Sequence, residues 1–536
     1  MTSQYIGLDF GTTNSIVSYF DGDRLDVLQY GSQHEKYIPS FIAYHDDDFI
    51  EIGIAAKSEA ANNPNLEAYG NFKMRLPIPE QEFSQHFRNG RTPMTVTTDY
   101  LQELLISQDS ESFVRQHGEI AGIVVSVPEI WQRDICNTGR ERLQEILKEN
   151  LDLGDRLIQL VSEPVAAAAY YAWEINGRLQ NQAQGNFTGN VLVCDMGGGT
   201  FDVSLCRISG DNKIEVLYFD GQGDRGLESA GVAFDRRCVQ TAYRKNNNGQ
   251  DADENSTEFR GLLKEFETVK VSTANRATKK LTNYLLDREA LATEILYTFA
   301  GSYNVTCGEV EDAFVVIAAG IEQVMQKVTE WLEANNTSFD RLFLVGGFSQ
   351  FLLVRESIFK SLNVDKEDPR VEDSFNIRDS TFAISYGACL IANGKIDPIE
   401  KYSHDLGIVL DVVKTDATKE ERYVPIVRSG TSIDELISPC FADIPAVSTF
   451  IQDQPLSLKL WIDPRGSGRK IKDTLPDMVK LPGSWSERHQ WRIGMRVNRS
   501  QIAYLVVEEM NNKHLRAEYE LGNVLAKMFS SFVLIE

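Results

Sequence analysis

The sequence predicts an α/β fold in two lobes of repeated architecture, followed by a mainly β region. Three observations predict it. Residues 5–14 read YIGLDFGTTN, an apolar strand that ends in Asp9 and runs into Gly11, Thr12, Thr13 and Asn14. Residues 191–202 read VLVCDMGGGTFD and repeat that plan, with Asp195 before Gly197, Gly198, Gly199 and Thr200, and Asp202 beyond. After about residue 405 the apolar runs are short and often parted by Pro and Gly, which suits strands.

The elements follow in order. The opening strands turn at Asp21-Gly22-Asp23, a hairpin signal. Residues 40–118 form a first insert containing Phe72-Lys73-Met74-Arg75-Leu76 and an amphipathic stretch near 98–117. Residues 119–128 read as a strand, 132–150 as a polar helix, and the alanine run 165–172 as a strong helix. The Asn/Gln/Gly-rich stretch 176–189 marks a surface loop between lobes. Strands resume at 190, and the repeat is one of architecture rather than of sequence. A second, largely helical insert spans 228–310, with a loop at Asn246-Asn247-Asn248-Gly249. Helices near 311–334, a strand at 340–345 and a last helix at 380–394, ended by Asn393-Gly394, complete the second lobe. LGIVLDVV, PLSLKLWI, WRIGMRV and AYLVVEE suit strands of the carboxyl-terminal part, and FSSFVLIE at the end is strand-like.

Composition bounds the function. At 536 residues several domains are expected. Apolar content of 42% and charged content of 25% are those of a globular protein. No run of about twenty apolar residues predicts a membrane span, and the chain enters a strand without a signal-like segment. The expected location is cytoplasmic. Net charge of −24 disfavours nucleic acid. The charge is uneven: residues 397–536 hold 18 basic and 20 acidic residues, so the first 396 carry about −22. Within 459–499, ten Lys/Arg stand against four Asp/Glu, either a solvated basic face or a surface for an acidic partner. The seven cysteines are scattered singly, as reduced structural thiols would be. Cys194 reads as core, with redox sensitivity beside Asp195 as the alternative.

The paired loops carry the chemistry. Glycines let the backbone approach phosphate and aim N–H groups at its oxygens, and the threonines add donors. Asp9 and Asp195 cannot touch phosphate directly, so a hydrated cation must lie between them, as Mg²⁺ does. The alternative is two ordinary strand-to-turn junctions.

GLDFGTTNS and DMGGGTFDVS resemble the loops of the heat-shock-70 branch of the actin, sugar-kinase and heat-shock-70 ATPase superfamily. VVSVPEIW (124–131), LVSEPVAAAAYY (160–171), FLVGGFSQ (343–350) and SYGAC (385–389) resemble further segments in the same order. The resemblance covers about residues 1–395. It implies a two-lobed actin-like ATPase domain over 1–394, with duplicated ribonuclease-H-like lobes, each bearing an insert. A linker at 395–405 and a β-rich region at 406–536 follow. That region resembles a truncated substrate-binding domain, with no helical lid expected after Asn512.

The resemblance also implies roles. ATP or ADP lies between the lobes, with Asp9 and Asp195 holding Mg²⁺ through water and K⁺ as a further candidate. Gly11, Thr12, Thr13, Asn14 and the 197–200 backbone grip phosphates. Lys73, Glu163, Thr200 and Asp202 are the catalytic candidates, although Met74 separates Lys73 from Arg75 where the family commonly has adjacent Lys-Arg. Solvated-surface and helix-terminal readings are the alternatives for Lys73 and Glu163. Gly346, Gly347 and Ser349 fall on the adenosine side, where Phe348-Ser349-Gln350 replaces the family's Ser-Thr-Arg. Glu267, Lys270 and Ser272 resemble the ribose-contacting helix, or form a solvated helix face.

The implied function is an Hsp70-like ATPase that couples lobe closure to polypeptide binding by the β-rich region. The alternative is an ATP-switched scaffold for one dedicated partner. A small-molecule kinase and an actin-like filament are weaker readings. A nucleotide-exchange factor is a candidate partner. Gln159 stands where J-protein-dependent relatives tend to carry arginine, which leaves J-protein coupling open.

Overall fold

The computed structural model describes residues 3–46, 49–63, 65–129, 131, 138–181, 185–210, 213–222, 230–254, 256–372, 377–413, 418–449, 456–479 and 489–521. The strand-like 529–536 segment lies outside them. The chain divides into two compact units, one of residues 1–130 and 146–398, the other of 131–145 and 399–536.

The first unit is built from two sheets of the same plan. In the first lobe, β1 (Gln4–Phe10), β2 (Asn14–Asp21) and β3 (Arg24–Val27) form an antiparallel meander. β4 (Ile120–Val127) then lies parallel to β1, and β5 (Leu157–Ser162) parallel to β4. In the second lobe, β6 (Gly189–Met196), β7 (Phe201–Ile208) and β8 (Lys213–Gln222) repeat the meander, and β9 (Arg341–Val345) lies parallel to β6. Asp397–Ile399 adds a short strand at the β8 edge. Strands such as Val191–Cys194 are buried along their whole length, as expected for sheets covered on both faces.

The helices Glu163–Asn181 and Ile377–Ala392 share one core with strands of both sheets. Their small residues set the approach. A Cβ on Gly387 would stand 1.7 Å from the Ala166 carbonyl oxygen, and Ala166–Ala169 are fully buried. The backbones therefore meet without intervening side chains.

The first insert contains a three-stranded sheet, Phe41–Tyr44, Ile50–Ile52 and Glu67–Gly70, with the helices Gly53–Asn62 and Pro93–Leu105. The second carries the helices Gly231–Asn246 and Thr257–Ser272, but it is not helical throughout. It ends in a hairpin, Ile295–Phe299 with Tyr303–Thr306, turned at Ala300 and Gly301, both at positive φ. The 176–189 stretch also differs from expectation, since helix continues to Asn181. Asn176 is buried there, and its Oδ1 accepts from the Phe187 N–H at 2.7 Å. Its amide serves as a tether rather than as a loop former.

The second unit packs two antiparallel sheets. One runs Lys419–Val427, Asp405–Val413, Leu456–Asp463, Ile471–Val479. The other centres on His489–Val497, Ala503–Glu509 and Arg516–Glu520. Leu406, Ile408, Leu460 and Ile462 of the first sheet share a core with Trp491, Ile493, Leu505 and Val507 of the second. Part of the basic 459–499 stretch is paired within its own sheets: Lys459 with Asp411, Lys472 with Glu421 and Arg496 with Glu518.

The helix Gly139–Glu145 belongs to this second unit, although its neighbours in sequence belong to the first. It continues as a π turn over Ile146–Asn150, so the expected polar helix at 132–150 is regular only in part, with 132–137 outside the described residues. Arg140 Nη1 donates to the Ser500 carbonyl at 2.9 Å, and Asn498 Nδ2 donates to Gln144 Oε1 at 3.0 Å.

Candidate functional site

The two glycine-rich loops face each other across one cavity of about 900 Å³ in the first unit. A Cβ on Gly198 would stand 2.2 Å from Thr13 Oγ1, and one on Gly199 would stand 2.6 Å from Thr12 Oγ1. Glycine is thus required where the threonines of one loop approach the backbone of the other. Gly11, Thr12, Thr13 and Asn14 line the cavity from the first lobe, and Gly197–Thr200 from the second.

The sheets place the carboxylates. Asp9 is the penultimate residue of β1 and lies in register with Ser126 of β4, whose Oγ donates to Asp9 Oδ1 at 3.1 Å. Asp195 is the penultimate residue of β6, opposite Asp202 of β7. Burial pushes the Asp9 carboxyl up to about 7, with Glu163 adding to the rise while Lys73 and Ser126 oppose it. Asp195 is raised by burial, then by Glu163, Asp202 and Asp9.

Lys73 lies in the 3₁₀ turn Phe72–Arg75 and Glu163 opens the helix Glu163–Asn181. Their side chains meet at 2.6 Å and are only 1% and 9% exposed. A solvated-surface reading of Lys73 does not fit that burial. Asp9, Glu163 and Asp195 thus share the cavity with one buried ammonium, and the excess of carboxylates fits a divalent cation. Among the described residues, the cluster with three metal-type ligand atoms within 4.8 Å is His45, Glu51 and Glu59, which does not line this cavity.

The helix Thr257–Ser272 lines the cavity through Arg260, Leu263, Lys264, Glu267, Lys270 and Val271, one stripe at helical spacing. Glu267 pairs with Lys57 of the first insert at 2.6 Å, and Lys270 with Asp235 at 2.6 Å. Burial raises the Asp235 carboxyl, and Lys270 opposes the rise. Gly346 (φ +82°), Gly347 and Phe348 line the same side, with Lys270 Nζ 5.6 Å from the Phe348 ring centroid.

Three sequence candidates do not reach the lining. Ser272 Oγ donates to the Val269 carbonyl of its own helix at 3.3 Å. Ser349 is fully buried, with its Oγ on the Gly346 carbonyl at 2.7 Å. Asp202 is fully buried as the cross-strand neighbour of Asp195. Conversely, Lys57, Asp235, Arg236 and Arg260 line the cavity without a local motif, and Arg75 lines it from the same short segment as Lys73. The helical phase from Lys270 back to Arg260 is the one signal that could have found a member of that set. Cys194 is fully buried, and burial together with Asp195 raises its thiol and keeps it neutral.

Relatives agree with this architecture. The chain is 24% identical over 481 residues to "Heat shock 70 kDa protein 2" of Paracoccidioides lutzii, covering 84% of this chain and 66% of that protein. It is 23% identical over 482 residues to the "Heat shock 70 kDa protein" of Emericella nidulans, covering 84% and 67%. The chain thus spans about two thirds of the length of these relatives. No helix among the described residues is long and apolar enough to cross a membrane. The profile of the family described as "Hsp70 protein" matches residues 5–76 and 85–396, more than half of the chain, and with the repeated α/β lobes and their facing loops this places the chain in the Hsp70 family, with its actin-like ATPase fold.

Proposed function

We propose that the chain binds ATP and ADP with Mg²⁺, hydrolyses ATP, and couples closure of its lobes to polypeptide binding by the β-rich unit. The observation that carries this reading is the opposition of the two loops. Thr12 and Thr13 face Gly198 and Gly199, with Asp9, Asp195 and the Lys73–Glu163 pair on the same cavity. No arrangement of core packing needs buried carboxylates at the tips of both sheets.

The loop backbones and the Thr12, Thr13 and Thr200 hydroxyls would hold the phosphates. Asp9 and Asp195 would hold Mg²⁺ through its waters, and the ion would neutralise charge on phosphoryl oxygens. Lys73 would offset charge building on the transferring group, held in place by Glu163. Glu163 would in turn orient a water at its second carboxylate oxygen. Asp202, the cross-strand neighbour of Asp195, would act on the metal site through Asp195. Lys270, Glu267 and the Gly346–Phe348 turn would form the nucleoside end. Such catalysis is positioning plus charge neutralisation without a covalent intermediate.

The relatives' printed names support a heat-shock role. A polypeptide client and an exchange factor would be the partners that membership of the Hsp70 family implies. The test is single-turnover hydrolysis and nucleotide binding in Thr200→Ala. Retained ATP binding with hydrolysis lowered about 10²–10³-fold supports the reading, and unchanged turnover opposes it.

A further inference from the structure

The geometry points to a divalent-cation site in the first insert, formed by His45, Glu51 and Glu59, that takes a zinc-type ion. One ligand atom from each residue lies within 4.8 Å of the other two. None of the three lines the cavity between the glycine-rich loops, and the site does not depend on the ATPase reading.

The local fold brings the three together. Phe41–Tyr44 and Ile50–Ile52 pair antiparallel with Ala43 opposite Glu51, and the His45 N–H donates to the Phe49 carbonyl at 2.9 Å. His45 follows Ala43 by two residues, so His45 and Glu51 are diagonal neighbours on one face of the hairpin. Gly53 takes φ +76°, which glycine adopts without strain, and the helix Gly53–Asn62 begins directly after the strand. Glu59, in the second turn of that helix, brings its carboxylate back to the hairpin.

Two observations set this cluster apart from ordinary solvated carboxylates. His45 Nε2 and Glu51 Oε2 are shut off from solvent and have no hydrogen-bond partner among the described residues. They stand 3.7 Å apart, too far for a hydrogen bond. Two donors about 2.0–2.2 Å from one tetrahedral ion are roughly 3.3–3.6 Å from each other, close to that spacing. The second observation is the convergence of two carboxylates. An ion pair of His45 with Glu51 gives no reason for Glu59 to join, since like charges repel, whereas a divalent cation attracts both. The donors set the ion: imidazole suits zinc and its first-row neighbours, while Mg²⁺ and Ca²⁺ take oxygen ligands. One nitrogen and two carboxylate oxygens leave a fourth position for water. The ion joins the hairpin to the helix that carries Lys57.

The experiment is competition for Zn²⁺ between the full, nucleotide-free chain and a chromophoric chelator, in excess Mg²⁺. One zinc per chain is expected, weakened about tenfold or more in each of His45→Ala, Glu51→Gln and Glu59→Gln, since even residues behind metal ligands commonly cost that much. Zinc held by the folded chain should also raise its thermal midpoint, and should not do so in His45→Ala. Glu59 is exposed, so Glu59→Gln tests the site in a folded chain even where a hairpin variant fails to fold. Less than one equivalent of zinc bound to the native chain would overturn the site. So would an affinity unchanged in any folded variant, which would assign the zinc to Asp9 and Asp195 or to the cysteine thiols.

Discussion

Lys73 Nζ and Glu163 Oε1 stand 2.6 Å apart in a pair that is almost wholly withdrawn from solvent. Removing one partner leaves the other charge buried and uncompensated. Lys73→Met alone is therefore expected to lower stability by about 3–5 kcal/mol, and Lys73→Met with Glu163→Gln to recover most of it. Denaturant unfolding of the single and double variants measures this. Equal stability in all three would show that the pair is not held together in solution.

The same lysine gives a kinetic prediction. With the site intact in other respects, Lys73→Ala is expected to bind ATP and to lose about 10²–10³-fold in hydrolysis rate. Quench-flow on the ATP complex reads the chemical step directly. A loss confined to binding would assign Lys73 to affinity alone.

Asp9 predicts a pH dependence. Its carboxyl is held up to about 7 against an ordinary value of 3.8. Below 3.8 both folded and unfolded chains are protonated there, and the shift has no effect. As pH rises from 3.8 to 7 the unfolded chain ionises first, so this group increasingly disfavours the folded, nucleotide-free state. The penalty is complete above 7. A cation held by Asp9 must displace that proton below 7. Binding of Mg²⁺ and ADP should then release protons at about pH 6, and fewer as pH rises through 7. Calorimetry in buffers of different ionisation enthalpy counts them. A proton count of zero at both ends would contradict the assignment of Asp9 to the metal.

Lys57 and Glu267 join the two inserts over the cavity at 2.6 Å. Both side chains are partly solvated, so the pair is worth little in stability. Its loss should still show in the off-rate, with ADP leaving about two- to fivefold faster from Lys57→Ala. Stopped-flow displacement of a fluorescent ADP analogue measures it. An unchanged off-rate would mean that this pair does not hold the cavity closed.

What was legible in the sequence was local. The aspartate-tipped strands, their glycine loops and the Asp21-Gly22-Asp23 turn are set by near neighbours, and the strands 405–413, 456–463, 489–497 and 503–509 announce themselves by composition. Long-range partners were not legible. Nothing near Lys73 in sequence indicates Glu163, ninety residues away. Nothing in residues 139–145 shows that they pack with Ser500 and Asn498. Ser272 and Ser349 were candidates by type and position, but a serine hydroxyl is easily satisfied by a carbonyl of its own turn, and both are. The hairpin at 295–306 was hidden inside a helical insert because two short strands give a weaker period than a helix.

The central claim is that facing loops and two aspartates hold a metal-bound nucleotide. Calorimetric titration of ADP and ATP into the purified chain, with and without Mg²⁺, tests it most directly. The expected result is one nucleotide per chain with Mg²⁺ present, and binding weakened or lost without the ion or in Asp9→Asn with Asp195→Asn. No heat from either nucleotide in the presence of Mg²⁺ would contradict it.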